Sequence, residues 1–239
     1  MRGTGNGRIV DAFNRAGNRG DVYGTRRHRF IGTAVYELPV GKGRAYLGQS
    51  NRLVDGVLGG WRLSTIFVAQ SGNYETLYFS SGAGDPSGTG SGFYRDQRPD
   101  VVSGVSTVPS NQDAGNWFNR SAFVCPGQTP GANQFNCNAG LGAANSPAPI
   151  GRFGNAGVGT LLGPNEVSLS AGLGKAFSIG ERLAVKIEGS FTNVLNHTNY
   201  ADPNTSITNS SFGVITSAIP NAQEFGGNRT GQVGVRIEF

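Results

Sequence analysis

At 239 residues the chain is long enough for one large domain or two small ones, and with 39 glycines and only 15% charged residues it is poor in helix formers and suited to strands joined by long loops. The net charge of +5 is carried by arginine, because lysine occurs only at Lys42, Lys175 and Lys186. The arginines are scattered, with no basic helix, aromatic-flanked basic cluster or zinc-ligand spacing, so a nucleic-acid partner is set aside and most of this charge reads as solvated loop charge.

Segment 1–27 reads as a loop or a truncated upstream strand region. It lacks the apolar stretch of a signal peptide, and nowhere does an apolar run approach the roughly 20 residues of a spanning helix. Arg2, Arg8, Arg15, Arg19, Arg26 and Arg27, followed by Arg29, make this opening basic enough to meet acidic lipopolysaccharide. The first stretch with period-two alternation, 28–39, places Phe30, Gly32, Ala34, Tyr36 and Leu38 on one face and Arg29, Thr33 and Glu37 on the other. The connection 41–58 is too long for a tight turn and is expected to hold a short amphipathic piece, with Leu47, Val54 and Leu58 packing back.

The second alternating stretch, 60–80, sets Trp61, Leu63, Thr65, Phe67 and Ala69 against Arg62, Ser64 and Gln70. Residues 81–164 follow as a long loop rich in Gly, Asn, Ser and Pro. Within it "SGAGDPSGTGSG" resembles a calcium or phosphate loop only in its Gly and Ser content and reads as a flexible tip. Cys125 and Cys137 lie close together in the same loop and are expected to form a disulfide, worth roughly 2 to 4 kcal/mol by loop closure.

The third stretch, 165–177, sets Val167, Leu169, Ala171 and Leu173 against Glu166, Ser168 and Ser170. Lys175 falls on the apolar parity and is expected at a membrane edge, its stem snorkelling to water. After the short "SIG" comes the fourth stretch, 182–193, with Leu183, Val185, Ile187, Gly189 and Phe191 against Arg182, Lys186, Glu188, Ser190 and Thr192. A second long loop, 194–228, leads to the last stretch, 229–239, with Val233, Val235, Ile237 and Phe239 against Gln232, Arg236 and Glu238.

An apolar face ending in aromatics, backed by a charged face, is the pattern of a transmembrane strand, because lipid cannot solvate charge and a wet lumen can. The expected fold is therefore all-β: about five long antiparallel meander strands of a transmembrane β-barrel. Arg29, Glu37, Arg62, Lys186, Glu188, Arg236 and Glu238 are the lumen-facing charges. With the C-terminus on the periplasmic side, both long loops fall outside the cell and the "SIG" turn falls inside, the asymmetry of outer-membrane barrels. The smallest membrane barrels need about 8 strands to close, so five strands make an incomplete barrel, and the last strand is expected to find a neighbour on one side only or to close onto the strand near Phe30.

Seven stretches in order, "RRHRFIGTAVYELPVGKGR", "LGGWRLSTIFVAQSG", "RPDVV", "WFNRSAF", "GRFGNAGVGTLLGPN", "FTNVLNHTNY" and "FGVIT", with a terminal Phe, resemble the C-terminal barrel end of TonB-dependent outer-membrane receptors of the Oar-like kind. The resemblance covers roughly 25–239. It implies the last strands of a plugged barrel of about 22 strands, with 28–239 as that barrel segment, inactive alone. It also implies outer-membrane location, contact with lipid and lipopolysaccharide, and an unknown nutrient ligand. Coupling to TonB would run only through N-terminal regions missing here. Val233, Val235, Ile237 and Phe239 match the C-terminal signal read by the barrel-assembly machinery.

Catalytic patterns are not found. "GLGKAF" puts Ala176 where a phosphate-binding loop needs Ser or Thr, no nucleophile elbow occurs, and His28 and His197 stand alone. No enzyme activity, cofactor or metal is expected. Two other readings stay open on sequence alone: a small self-contained outer-membrane barrel acting as an adhesin or structural protein, and a soluble all-β binding module.

Overall fold

The structure, a computed structural model, describes residues 10–11, 13–78, 85–89, 97–131, 137, 151–179, 183–219 and 227–239. Its strands in chain order are β1 (Arg29–Glu37), β2 (Trp61–Gln70), β3 (Tyr74–Glu75), β4 (Asp100–Val101), β5 (Phe123–Val124), β6 (Leu161–Leu162), β7 (Glu166–Ile179), β8 (Leu183–Thr192) and β9 (Thr230–Glu238), and one short helix, α1 (Arg52–Leu58), joins β1 to β2. The chain divides into two compact units. A strand unit comprises His28–Gln70, Asn165–Asn199 and Ala218–Phe239, and a loop unit comprises Met1–Arg27, Ser71–Pro164 and Tyr200–Ser217.

In the strand unit, β1, β2, β7, β8 and β9 form one antiparallel sheet in that order. The register sets Glu37 opposite Arg62, Trp61 opposite Lys175, Gly174 opposite Glu188 and Lys186 opposite Arg236. Because side chains alternate strictly, this register collects one parity of every strand onto one face. β9 pairs with β8 and with no second strand among the described residues, and β1 likewise pairs only with β2, so the sheet is open. Asn199 extends the order on β7 beyond its last pair with β8: its side-chain amide donates to the Val167 carbonyl at 3.0 Å and its Oδ1 accepts from the Val167 N–H at 2.8 Å.

The second strand is shorter than its alternation predicts. It ends at Gln70, and 74–75 pair instead with 161–162 as a separate ladder. The cause is Gly72, which packs so closely on the Gly163 carbonyl that a Cβ there would lie 1.9 Å from its oxygen. That crossing bends the chain away from the sheet. Segment 1–27 holds no strand among its described residues, only a 3-10 turn at Ala16–Asn18 and two isolated bridges, Gly20 to Val158 and Arg26 to Asn73, while Arg2 and Arg8 lie outside the described residues.

In the loop unit, described residues from the stretches read as long loops pack on one another. Leu77, Phe118, Phe123, Leu161, Ile207 and Phe212 form a buried core together with Cys125 and Cys137, which are joined in a disulfide. Phe212 meets Phe123 edge-on at 5.9 Å between ring centres, and Phe118 lies at 6.2 Å from it. Arginines read as solvated loop charge are structural here. Arg152 holds Asp100 through two bonds of 2.8 and 2.6 Å, Arg98 donates to the Gly17 carbonyl at 2.7 Å, and Arg120 donates to the Ile207 and Asn209 carbonyls beneath the Phe212 ring. Of "SGAGDPSGTGSG", only Asp85–Thr89 lie within the described residues. There the Asp85 carboxylate accepts from Ser87, Gly88 and Gln97, so this chain itself uses its lone pairs.

Candidate functional site

The polar face of the five-stranded sheet gathers the charges singled out from the sequence, but not evenly. At the end where β1 runs into β2, Glu37 accepts from Arg62 at 3.2 Å and from Arg44 at 3.1 Å. Across β8 and β9 at the same end, Glu238 pairs with Lys186 at 2.8 Å and with Arg236 at 3.2 Å. Glu188 shares this face, opposite Gly174 on one side and Gly234 on the other. Six of the seven residues thus cluster at one end, which also carries the short connection between β7 and β8. Arg29 is the exception: it sits at the opposite end, across from Gln70. Arg44, which completes the Glu37 pair, was not singled out, because it belongs to the β1–β2 connection, where strand parity says nothing.

Between the two ends the face is lined by small and hydroxylated side chains. Ser64, Ser170, Gly172, Ser190 and Gln232, with Glu188, border a groove of about 420 Å³. A Cβ at Gly172 would come within 2.9 Å of the Ser64 Oγ, so glycine there lets β2 and β7 keep the groove floor flat. Toward the far end, Gln70 donates to Glu166 at 2.6 Å. The face is not wholly polar: Ile31 and Val35 of β1 and Ile66 of β2 form an exposed apolar strip on it, by the same parity.

The other face carries the predicted apolar set. Val233, Val235 and Ile237 are 59 to 78% exposed, and Phe239 is fully so, as are no large side chains in the loop unit core. Lys175 departs from expectation. It is only 7% exposed, its ammonium lies 5.7 Å from the Trp61 ring centre and 4.8 Å from that of Phe177, and it donates to the Gly56 carbonyl at 2.6 Å.

A second polar cluster lies inside the loop unit. Asp202 accepts from Tyr23 at 2.7 Å and from Asn73 at 2.9 Å, and it shares a hydrogen bond with Glu75, which is 2% exposed. Burial, then the Asp202 charge and that bond, pushes Glu75 up to about 9, so it is protonated near neutrality and donates to its neighbour. Burial, followed by the bond to Asp202, also raises Tyr23. Among the described residues no three His, Cys, Asp or Glu side chains converge as metal ligands. The arrangement is an acid pair that holds three chain segments together.

Both clusters bear on what the chain can do. The sheet offers a wettable face with ion pairs and a groove, backed by a face that water cannot favour, and the loop unit offers a disulfide-linked core. A model of the family described as outer membrane beta barrel domain matches residues 1–232. No curated protein and no solved structure matches the chain.

Proposed function

Because the chain belongs to the outer membrane beta barrel domain family, we propose that it is a wall segment of a TonB-dependent receptor of the Oar-like kind, contributing to capture and uptake of a nutrient across the outer membrane. The observation that carries this reading is the two-faced sheet: one continuous apolar face of five strands, and behind it a polar face with ion pairs and a groove. A soluble module would leave that apolar face against water at roughly 25 cal/mol for each Å². Lipid removes the cost.

In this reading the apolar face meets lipid, the polar face lines the lumen, and the end with the short β7–β8 connection is periplasmic. The long connections are then extracellular, and the core packed within the loop unit belongs to a binding body. The chain acts by binding and passage, not by catalysis. Its partners are membrane lipid and lipopolysaccharide, the barrel-assembly machinery acting on Val233, Val235, Ile237 and Phe239, the nutrient, and TonB through regions N-terminal to these residues. Translation of the genomic reading frame upstream of Met1 tests it. A plug-like domain and a TonB-contacting segment in frame are expected, and a stop codon and promoter immediately before Met1 would sink the receptor reading.

A further inference from the structure

We infer that α1 is an interfacial membrane helix, laid against the periplasmic-side lipid headgroups on the outer wall of the sheet and held there by Lys175. The inference rests on the barrel reading and adds to it a lipid contact made by a connection rather than by a strand.

The β1–β2 connection is built rather than loose. Asn51 caps α1 by accepting the Val54 N–H at 2.9 Å, and Asp55 accepts the Lys42 N–H at 2.5 Å. Gly41 and Gly59 pack together beside that carboxylate: a Cβ at Gly59 would lie 2.4 Å from the Asp55 Oδ1. The last turn of the helix is tied to the apolar face of the sheet by two side chains of matching register. Lys175 on β7 donates to the carbonyls of Asp55 and Gly56, at 3.3 and 2.6 Å, and Trp61 on β2 donates to the carbonyl of Val57 at 2.9 Å. A cation among the last carbonyls suits the negative end of the helix dipole. The Trp61 and Phe177 rings cover the same ammonium.

So held, the helix turns its apolar side outward. Leu53 and Val57, one turn apart, are 83 and 65% exposed, and Leu58 and the nearby Tyr46 are exposed as well. Nothing in water favours such a display on a helix whose backbone is so fully tied. What covers it follows from continuity. Lys175 and Trp61 belong to the parity that carries Leu63, Leu173 and Val185, so the helix is anchored on the lipid-facing wall at its rim, where tryptophan and lysine favour the headgroup boundary. It also gives Lys175 a role: the ammonium stays on the lipid-facing parity because helix carbonyls and rings receive it.

The test is nitroxide labelling in the full chain inserted into phospholipid vesicles, with the native disulfide kept oxidised. Leu53→Cys, Val57→Cys, Arg52→Cys and Val235→Cys are labelled singly, and each label's accessibility to oxygen and to a water-soluble nickel reagent is measured. At 53 and 57 the ratio of oxygen to nickel accessibility should exceed that at 52 several-fold and fall below that at 235. Labels at 53 and 57 as open to nickel as the one at 52, or shielded from both reagents as against a protein partner, overturn the inference while the barrel reading stands. A label at 235 that is itself open to nickel overturns the barrel reading first. Adding Lys175→Met should loosen the label at 53 and leave the one at 235 unchanged, and an unchanged label at 53 removes Lys175 from the anchor.

Discussion

The two units of this chain bury opposite things. In the loop unit the large apolar side chains are inside: Phe118, Leu77 and Ile207 are each 1% exposed. In the strand unit Phe30, Tyr36 and Val233 stand 54 to 78% exposed, on a sheet whose own polar face carries the ion pairs. One polypeptide cannot be optimal for a single solvent with both arrangements. The loop unit is built for water, with a hydrophobic core, a disulfide and buried charges each given partners. The strand unit is built for lipid, where the ladder satisfies the backbone groups of the inner strands and apolar side chains need no shelter. Substitutions that act on one unit and spare the other therefore test the division directly.

The largest effect is expected in the water-built unit. Phe118→Ala leaves a cavity among Phe212, Phe123 and Ile207 and should cost about 3–5 kcal/mol there, read as faster protease cleavage within 97–131 with the outer-membrane fraction of the chain unchanged. Equal loss of membrane insertion would show that the units are not separable. The mirror experiment is Val235→Arg, in the middle of β9 on the apolar face opposite Ile187. Its cost should be about 2–4 kcal/mol at mid-bilayer, read as lost insertion. Gln232→Arg, on the polar face of the same strand, should insert normally, and equal damage from both would refute the assignment of faces.

Reduction of the Cys125–Cys137 bond, which closes a short ring with a sequence separation of 12, should destabilise the loop unit by about 3 kcal/mol and leave the strand unit's insertion untouched. The same unit should also answer to pH. Glu75 is held near 9 when folded, against an ordinary value of 4.5. Its contribution to stability is therefore fully present below about 4.5 and is lost as pH rises toward 9, because the folded state holds a proton the unfolded chain releases. Thermal unfolding of the loop unit should fall over that window, and Glu75→Gln should flatten the fall. An identical slope in the variant would assign the pH response elsewhere.

How much of this was legible in the sequence follows the same division. β1, β2, β7, β8 and β9 could be read because a lipid-facing strand announces itself locally: every second residue of Val233, Val235 and Ile237 is apolar whatever lies nearby. The loop-unit core has no period. Phe118, Phe123 and Phe212 meet only after the chain has crossed itself, and the sequence around each shows glycine and asparagine rather than a pattern. Arg98, Arg120 and Arg152 were unreadable as structural for the same reason, since their carbonyl and carboxylate partners lie 52 to 89 residues away in sequence. The disulfide pairing was within reach because two cysteines stand alone in one loop. In the β1–β2 connection, Leu47, Val54 and Leu58 suggested packing inward, yet Leu47 and Leu58 are about half exposed, because the helix is tied by its carbonyls and not by its apolar side.

The smallest effect belongs to the ion pairs on the polar face of the sheet, and its size distinguishes a wet face from a dry one. Glu238 accepts from Lys186 and Arg236 with all three side chains well exposed. If that face lines water, the Lys186–Glu238 coupling in a double-mutant cycle with Lys186→Gln and Glu238→Gln should be only about 0.2–1 kcal/mol and should shrink as salt is added. A dry face predicts the contrary. There the single variants would each leave a bare charge away from water and cost several kcal/mol, and salt would change nothing. Measured beside Val235→Arg, three residues from Glu238 on the same strand and on its other face, the cycle tells whether β9 separates two solvents, which the alternation of its side chains requires.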